Sequence, residues 1–405
     1  MLRNLMSRKA GNEDLAKWLK AHYRRLNWPK AERLLGTRAT LGAKQEEYAK
    51  LGGVLVSRLQ DLMRPPKAIN FGILNVSRPN AWAIYAARFY GILVTKGLIE
   101  NIQRVCGQAG AMMRGADVLE DQGNFLRNLW LGFQVRKEDY ENFGGLLAHI
   151  AFAFIIHHEL AHAGLGHEGV ASNPKSASDG ASSDSEIDTQ YVDEALNSIA
   201  HDSAGVSWSS QALEVDADIN GLGYTVDWIQ SQANSLKALN VDPAKRMDAV
   251  WHHFLTDADR RWFVMLTGVS IGLYCLVNDL DLVPLGDMTQ ATHPPLPARV
   301  LAMLHAGSML HKIETECAFN AQSDVLLVVT GLIGMLQVTQ GDSRSLDDWF
   351  SALAVDEGVA RYDDIGAHYR RLANEMAEIH QQRLLYMRFP DGLCWKWFLK
   401  NSEQT

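Results

Sequence analysis

Cysteine is scarce in this sequence, and its four residues, Cys106, Cys275, Cys317 and Cys394, form no Cys-x-x-Cys pair. That excludes a thiolate zinc ribbon or a dithiol redox motif and fits reduced thiols in a cytosol. The first residues lack the pattern of a secretory signal peptide, so the expected location is cytoplasmic. Long uncharged runs are also missing. Trp262 to Val277 and Val325 to Val338 hold 16 and 14 residues without a charge, short of the about 20 that a spanning helix needs. Both are expected to be buried core helices, and no membrane span is expected. Net positive charge is absent too: 39 Lys and Arg against 47 Asp and Glu leave −8 and a pI near 6.0. The chain as a whole therefore has no pull toward nucleic acid or an anionic membrane.

The charge is uneven. Residues 1–66 carry 14 Lys and Arg against 6 Asp and Glu, so this segment is +8 and the remainder −16. A basic stretch such as "LAKWLKAHYRRLNWPKAERLL" could dock on an acidic partner, but a solvated pair of amphipathic helices is the simpler reading. This helical segment closes at "RPP". Between Ala68 and Glu100 the composition changes, and "INFGILNVS" and "GILVTKG" read as strands bounded by Gly, Pro and Asn. Helical patterning resumes from Gln103. Residues 170–207 are rich in Ser, Ala, Gly and Asp and read as a mobile insertion. Helical periodicity returns at Ser210 and runs, with proline breaks, to the C-terminus. The expected class is α+β, mostly helical, with a small sheet.

What the chain does have is "HHELAHAGLGH", residues 157–167, with four histidines and a glutamate at the end of an apolar helix. His158, Glu159 and His162 make an HExxH motif. Residues i and i+4 share a helix face, so the two imidazoles can bind one ion, while Glu159 beside them can serve as general base. Two imidazoles and a carboxylate with one open position suit zinc, expected at one ion per chain. The extended pattern HExxHxxGxxH fails, because Leu165 and Glu168 stand where Gly and His are required. A carboxylate from a later helix is the other route. Glu214 and Asp218, four apart in "SSQALEVDADINGLGY", supply it: Glu214 as third ligand, Asp218 as hydrogen-bond acceptor from a ligating imidazole. Glu168 is the reserve ligand. His157, about 100° around the helix from His158, and His167, beyond a break expected at Ala163-Gly164, are not expected to bind the ion.

HExxH followed by Glu214-Val215-Asp216-Ala217-Asp218 resembles the gluzincin metalloproteases of the HtpX and CAAX-processing type. "PNAWAIYAARFYGILVTKGLIE" is similar to their N-A-x-A segment and V-T-x-G-L strand, and "THPPLPARV" to their T-H-P-x-x-x-R-I block, with Val300 for Ile and one extra residue before Arg299. Within that group the resemblance is closer to the Lit-type phage-exclusion proteases, which share the doubled histidine before HExxH and the histidine five places after it, and carry an E-x-E-A-D block where this chain has Asp216 in place of the second Glu. The resemblance spans about residues 80–305. It implies a zincin-like metalloprotease core over residues 67–305, with helical additions at residues 1–66 and 306–405. It further implies that the strand Gly91, Ile92, Leu93, Val94 and Thr95 is a sheet edge that pairs with extended substrate. An ordinary core strand fits the same residues. His293 would face the metal and stabilise the oxyanion, and Arg299 would support the site by pairing with a carboxylate.

The function expected on these grounds is that of a zinc-dependent endopeptidase with a protein substrate. The resemblance implies phage defence by abortive infection: a latent protease, triggered by a phage-derived activator, that cuts a host protein such as a translation factor. One alternative is a regulatory protease that cuts a repressor or antitoxin. Another is a non-catalytic zinc-binding interaction protein, which the intact Glu159 disfavours.

Overall fold

The structure is a computed structural model that describes residues 42–60, 68–77, 79–85, 89–115, 140–167, 208–238 and 246–277, with positions 294, 299–300, 302–303, 306–307, 371 and 374–376. The described residues are mostly helical, with a small three-stranded sheet. In chain order they form α1 (Ala43–Gln60), β1 (Ala68–Leu74), β2 (Ala81–Tyr85), β3 (Phe89–Thr95), α2 (Lys96–Gly115), α3 (Tyr140–Leu165), α4 (Trp208–Ala238), α5 (Arg246–Leu255) and α6 (Ala258–Val277).

The sheet has the order β1-β3-β2, with β3 parallel to β1 and antiparallel to β2. β3 passes directly into α2 at Thr95. Its hydroxyl accepts the Leu98 backbone N–H at 3.1 Å, the bond of a helix N-cap. The same hydroxyl accepts the Asn80 N–H at 2.9 Å, while the Thr95 N–H donates to the Asn80 carbonyl at 2.9 Å. One threonine thus starts the helix and ties the beginning of β2 to the end of β3.

α3 is the centre of the packing. From Leu146 to Ile156 its residues are buried apart from the half-buried His149, so it is apolar around its whole circumference, as a core helix must be. It packs against α1, α2, α4, α5 and α6 as well as β2 and β3. By length and composition, Asn142–Leu165 could cross a membrane, but 89% of its apolar window is buried inside the protein. The run Trp262 to Val277 lies in α6, which is buried from Arg261 to Cys275. Val325 to Val338, residues 170–207 and most of 306–405 lie outside the described residues. Cys106 and Cys275 are buried free thiols.

Candidate metal centre

The last two turns of α3 carry His157, His158, Glu159 and His162, all buried in the completed fold. The periodicity of the helix separates their tasks. His157 points to α4, where its Nδ1 lies 2.9 Å from the Thr225 hydroxyl. That hydroxyl donates to the Gly221 carbonyl at 2.7 Å, so it accepts from the ring. Burial, and then the charge of Arg58, holds the His157 imidazole down to about 3, which keeps it neutral and structural. His158 and His162 turn their Nε2 atoms toward one another, 3.2 Å apart.

α4 brings the carboxylates. Glu214, Asp218, Gly221 and Thr225 follow one another at i, i+4, i+7 and i+11, a single stripe along the helix. Gly221 is where that stripe meets α3. A Cβ there would lie 2.9 Å from the His158 backbone nitrogen, so only glycine allows the two backbones this approach. One turn earlier on the stripe, Asp218 Oδ1 lies 2.9 Å from His158 Nδ1. The angle is poor for a hydrogen bond, which makes this contact chiefly electrostatic. One turn earlier again, Glu214 sets its two oxygens 3.5 Å from His158 Nε2 and 3.4 Å from His162 Nε2. His158, His162 and Glu214 therefore converge as a group that could hold a metal ion. Arg299 is buried behind them. It binds Asp218 through two bonds of 2.7 Å and stands 3.6 Å from Glu214.

The protonation of the metal-free site follows from these contacts. Burial pulls the His158 imidazole down, but Asp218 and Glu214 together outweigh it and push it up to about 10. A proton then sits where a cation would. Burial holds His162 well below its ordinary value despite Glu214, with the positive charge around His158, His167 and Arg299 acting in the same direction. Burial raises Glu159 to about 7; His158 and Arg299 pull it down and Glu214 pushes it up. The Ala83 backbone N–H also bonds to the Glu159 carboxylate.

That last contact corrects the expectation for the sheet. Gly91, Ile92, Leu93, Val94 and Thr95 lie in β3, which is the central strand and not an edge. β1 and β2 occupy its two sides, and every residue of β3 is buried, so no substrate backbone can pair with it. Among the described residues β2 pairs on one side only. Because Asn80 and Thr95 form a hydrogen-bonded pair, the antiparallel alternation puts Ala81, Ala83 and Tyr85 at positions whose N–H and C=O point away from β3. The bond from Ala83 to Glu159 shows that this free edge faces the metal group.

A second correction concerns the end of the motif. The helix does not break at Ala163-Gly164 but continues to Leu165. Gly166, at φ 73°, supplies the left-handed turn after the last helical residue. His167, just past it, comes to rest fully buried with its Nδ1 2.8 Å from His162 Nδ1. Its Nε2 lies 3.0 Å from Asp216. His167 and Asp216 were not expected at the site; the five-residue step from His162 was the only visible signal. His293 and Glu168 lie outside the described residues. Comparison with known protein families, with curated proteins and with solved structures finds no match for this chain.

Proposed function

We propose that the chain is a zinc-dependent endopeptidase with a zincin-type centre. The observation that carries this reading is the convergence of two imidazole nitrogens and a carboxylate on one point. A tetrahedral ion with ligand bonds of about 2.0–2.2 Å holds its ligand atoms roughly 3.3 Å apart. Here the two Nε2 atoms lie 3.2 Å apart, each with a different Glu214 oxygen at 3.5 or 3.4 Å, and one ligand atom from each of the three residues lies within 4.8 Å of the others, close enough to gather round one ion. A calcium site would need more oxygen ligands at longer bonds, and the two imidazoles disfavour it. Bound there, zinc would supply Lewis-acid polarisation of the scissile carbonyl and of the attacking water.

The chain's own residues supply the rest. Glu159 adjoins the ligands and is held near neutrality by burial, the range in which a carboxylate both takes and returns a proton effectively. It would take the proton of the attacking water and pass it to the leaving amine. An extended peptide laid along this edge of β2 would pair with Ala81, Tyr85 and the Ala83 carbonyl by β-augmentation. That brings its backbone beside Glu159, because Ala83 already touches that carboxylate. The edge-strand role thus moves from β3 to β2. The motif resemblance supports the wider setting: phage defence, a host protein as substrate and a phage component as trigger.

The test compares wild type with Glu159→Gln. Wild type should hold about one zinc per chain. The variant should hold the same zinc and melt at the same temperature, while peptide-bond hydrolysis falls by about 10²–10⁴-fold. Mass spectrometry of new protein termini in host cells, with and without phage, would identify the substrate. New termini that persist undiminished with Glu159→Gln would refute the assignment.

A further inference from the structure

The metal group accounts for His158, His162, Glu214 and Asp218 but leaves a second buried set unused. His167 is 0% exposed and Asp216 1% exposed, both beside the centre and neither offering an atom to it. They join His162 in a line: Asp216 Oδ2 to His167 Nε2 at 3.0 Å, then His167 Nδ1 to His162 Nδ1 at 2.8 Å. Asp216 is itself held by Asn220, whose amide donates to its Oδ1 at 3.0 Å and to its backbone carbonyl at 2.8 Å.

The direction of this line follows from elementary hydrogen-bond rules. His162 can give its Nε2 lone pair to an ion only if the ring's hydrogen sits on Nδ1. That Nδ1–H must donate to His167 Nδ1, which must therefore be a lone pair. The hydrogen of His167 is then on Nε2 and needs an acceptor. An ionised carboxylate can only accept, so Asp216 fixes the sense of the whole chain. Reversing any one bond would put a hydrogen on His162 Nε2 and point it at the metal.

We propose that His167 and Asp216 are positioning residues that hold His162 in its metal-binding tautomer and ring orientation, a two-step relay in place of the single carboxylate contact that serves His158. This rests on the metal-centre reading above. The two ligand histidines then differ in support. His158 leans directly on Asp218, whereas His162 leans on a carboxylate one imidazole removed. Outer partners of ligating histidines typically contribute 10–100-fold to metal affinity, and His167 is expected to fall in that range.

The experiment uses the full-length protein and zinc alone. Zinc affinity is measured by chelator competition for wild type, His167→Leu and His167→Asn. Leucine removes the acceptor, whereas the asparagine Oδ1 occupies the place of Nδ1 and can still accept from His162. We expect about 10–100-fold weaker binding for His167→Leu and recovery to within a few-fold of wild type for His167→Asn. ¹⁵N-histidine spectra of metal-free wild type provide a second readout, independent of whether any variant folds. They should show His162 protonated at Nδ1 and His167 at Nε2. Wild-type affinity in His167→Leu overturns the relay. So does equal weakening in both variants, which would mark a purely structural role, and so does the opposite tautomer in wild type. Failure of wild type itself to bind zinc would instead sink the metal-centre reading.

Discussion

Asp218 Oδ1 sits 2.9 Å from His158 Nδ1, and the same carboxylate is gripped at 2.7 Å through both oxygens by Arg299. One buried anion thus serves a ligand histidine on one side and a buried cation on the other. Arg299 is only 3% exposed, and removing one partner of a buried pair costs about 3–5 kcal/mol because the other charge is stranded. Arg299→Ala should lower stability by that amount in urea unfolding of the metal-free protein. Asp218→Asn should do the same and also weaken zinc binding. An Arg299→Ala variant as stable as wild type would show that the pair is not needed to hold the site.

Zinc and a proton compete for His158. Its folded value of about 10 lies above the usual one of 6.5, so in the metal-free protein it is protonated through neutral pH. Binding the ion must expel that proton, so apparent affinity should rise up to tenfold per pH unit until about pH 10. The linkage has a second face. A raised histidine stabilises the metal-free fold below pH 6.5, and that contribution is lost as pH rises toward 10. Calorimetry near pH 8.5 in buffers of different ionisation enthalpy should find about one proton released per zinc. Zero release would contradict the arrangement of His158 between two carboxylates.

Gly221 sets the distance between the metal helices. Alanine is preferred over glycine in a helix interior by about 1 kcal/mol, so on propensity alone Gly221→Ala would stabilise. The added Cβ would meet the His158 backbone at 2.9–3.0 Å, and such overpacking typically costs about 1–3 kcal/mol. The steric term should win. α4 would be pushed away from α3, carrying Glu214 and Asp218 with it. We expect a lower melting temperature together with weaker zinc binding, and a variant that melts higher with unchanged affinity would show that the helices have room to spare.

The parts of this molecule that depend on spacing along one element were legible in the sequence. HExxH on an apolar helix and a Glu–Asp pair four apart on another need only the 3.6-residue period, and they are the residues that converge. The rank of a strand within a sheet depends on partners that one strand's residues do not name. "GILVT" has the unbroken apolar character of a strand buried on both faces, but its residues alone fit an edge and a central strand equally well, while the short "AWAIY" of β2 gave little sign of being a strand at all. His167 was missed because Ala163-Gly164 resembles a helix stop. The helix instead runs to Leu165, and only the turn at Gly166, with its positive φ, brings His167 against His162.

The position of β2 can be tested by proline, which removes a backbone donor. Ala83 stands at a position whose N–H points away from β3 and reaches Glu159. Proline is tolerated on edge strands where the lost N–H faces outward, so Ala83→Pro should fold and keep its zinc. Leu93 lies in the central strand opposite Trp82, at a position that exchanges both ladder bonds. Leu93→Pro should therefore abolish folding, which circular dichroism would show. In Ala83→Pro the functional change should fall on the base. Glu159 loses the N–H that favours its ionised form, so its pKa should move above about 7 and the acid limb of the rate profile should shift to higher pH. If Ala83→Pro unfolds as Leu93→Pro does, β2 is not the free edge and the proposed substrate track is wrong.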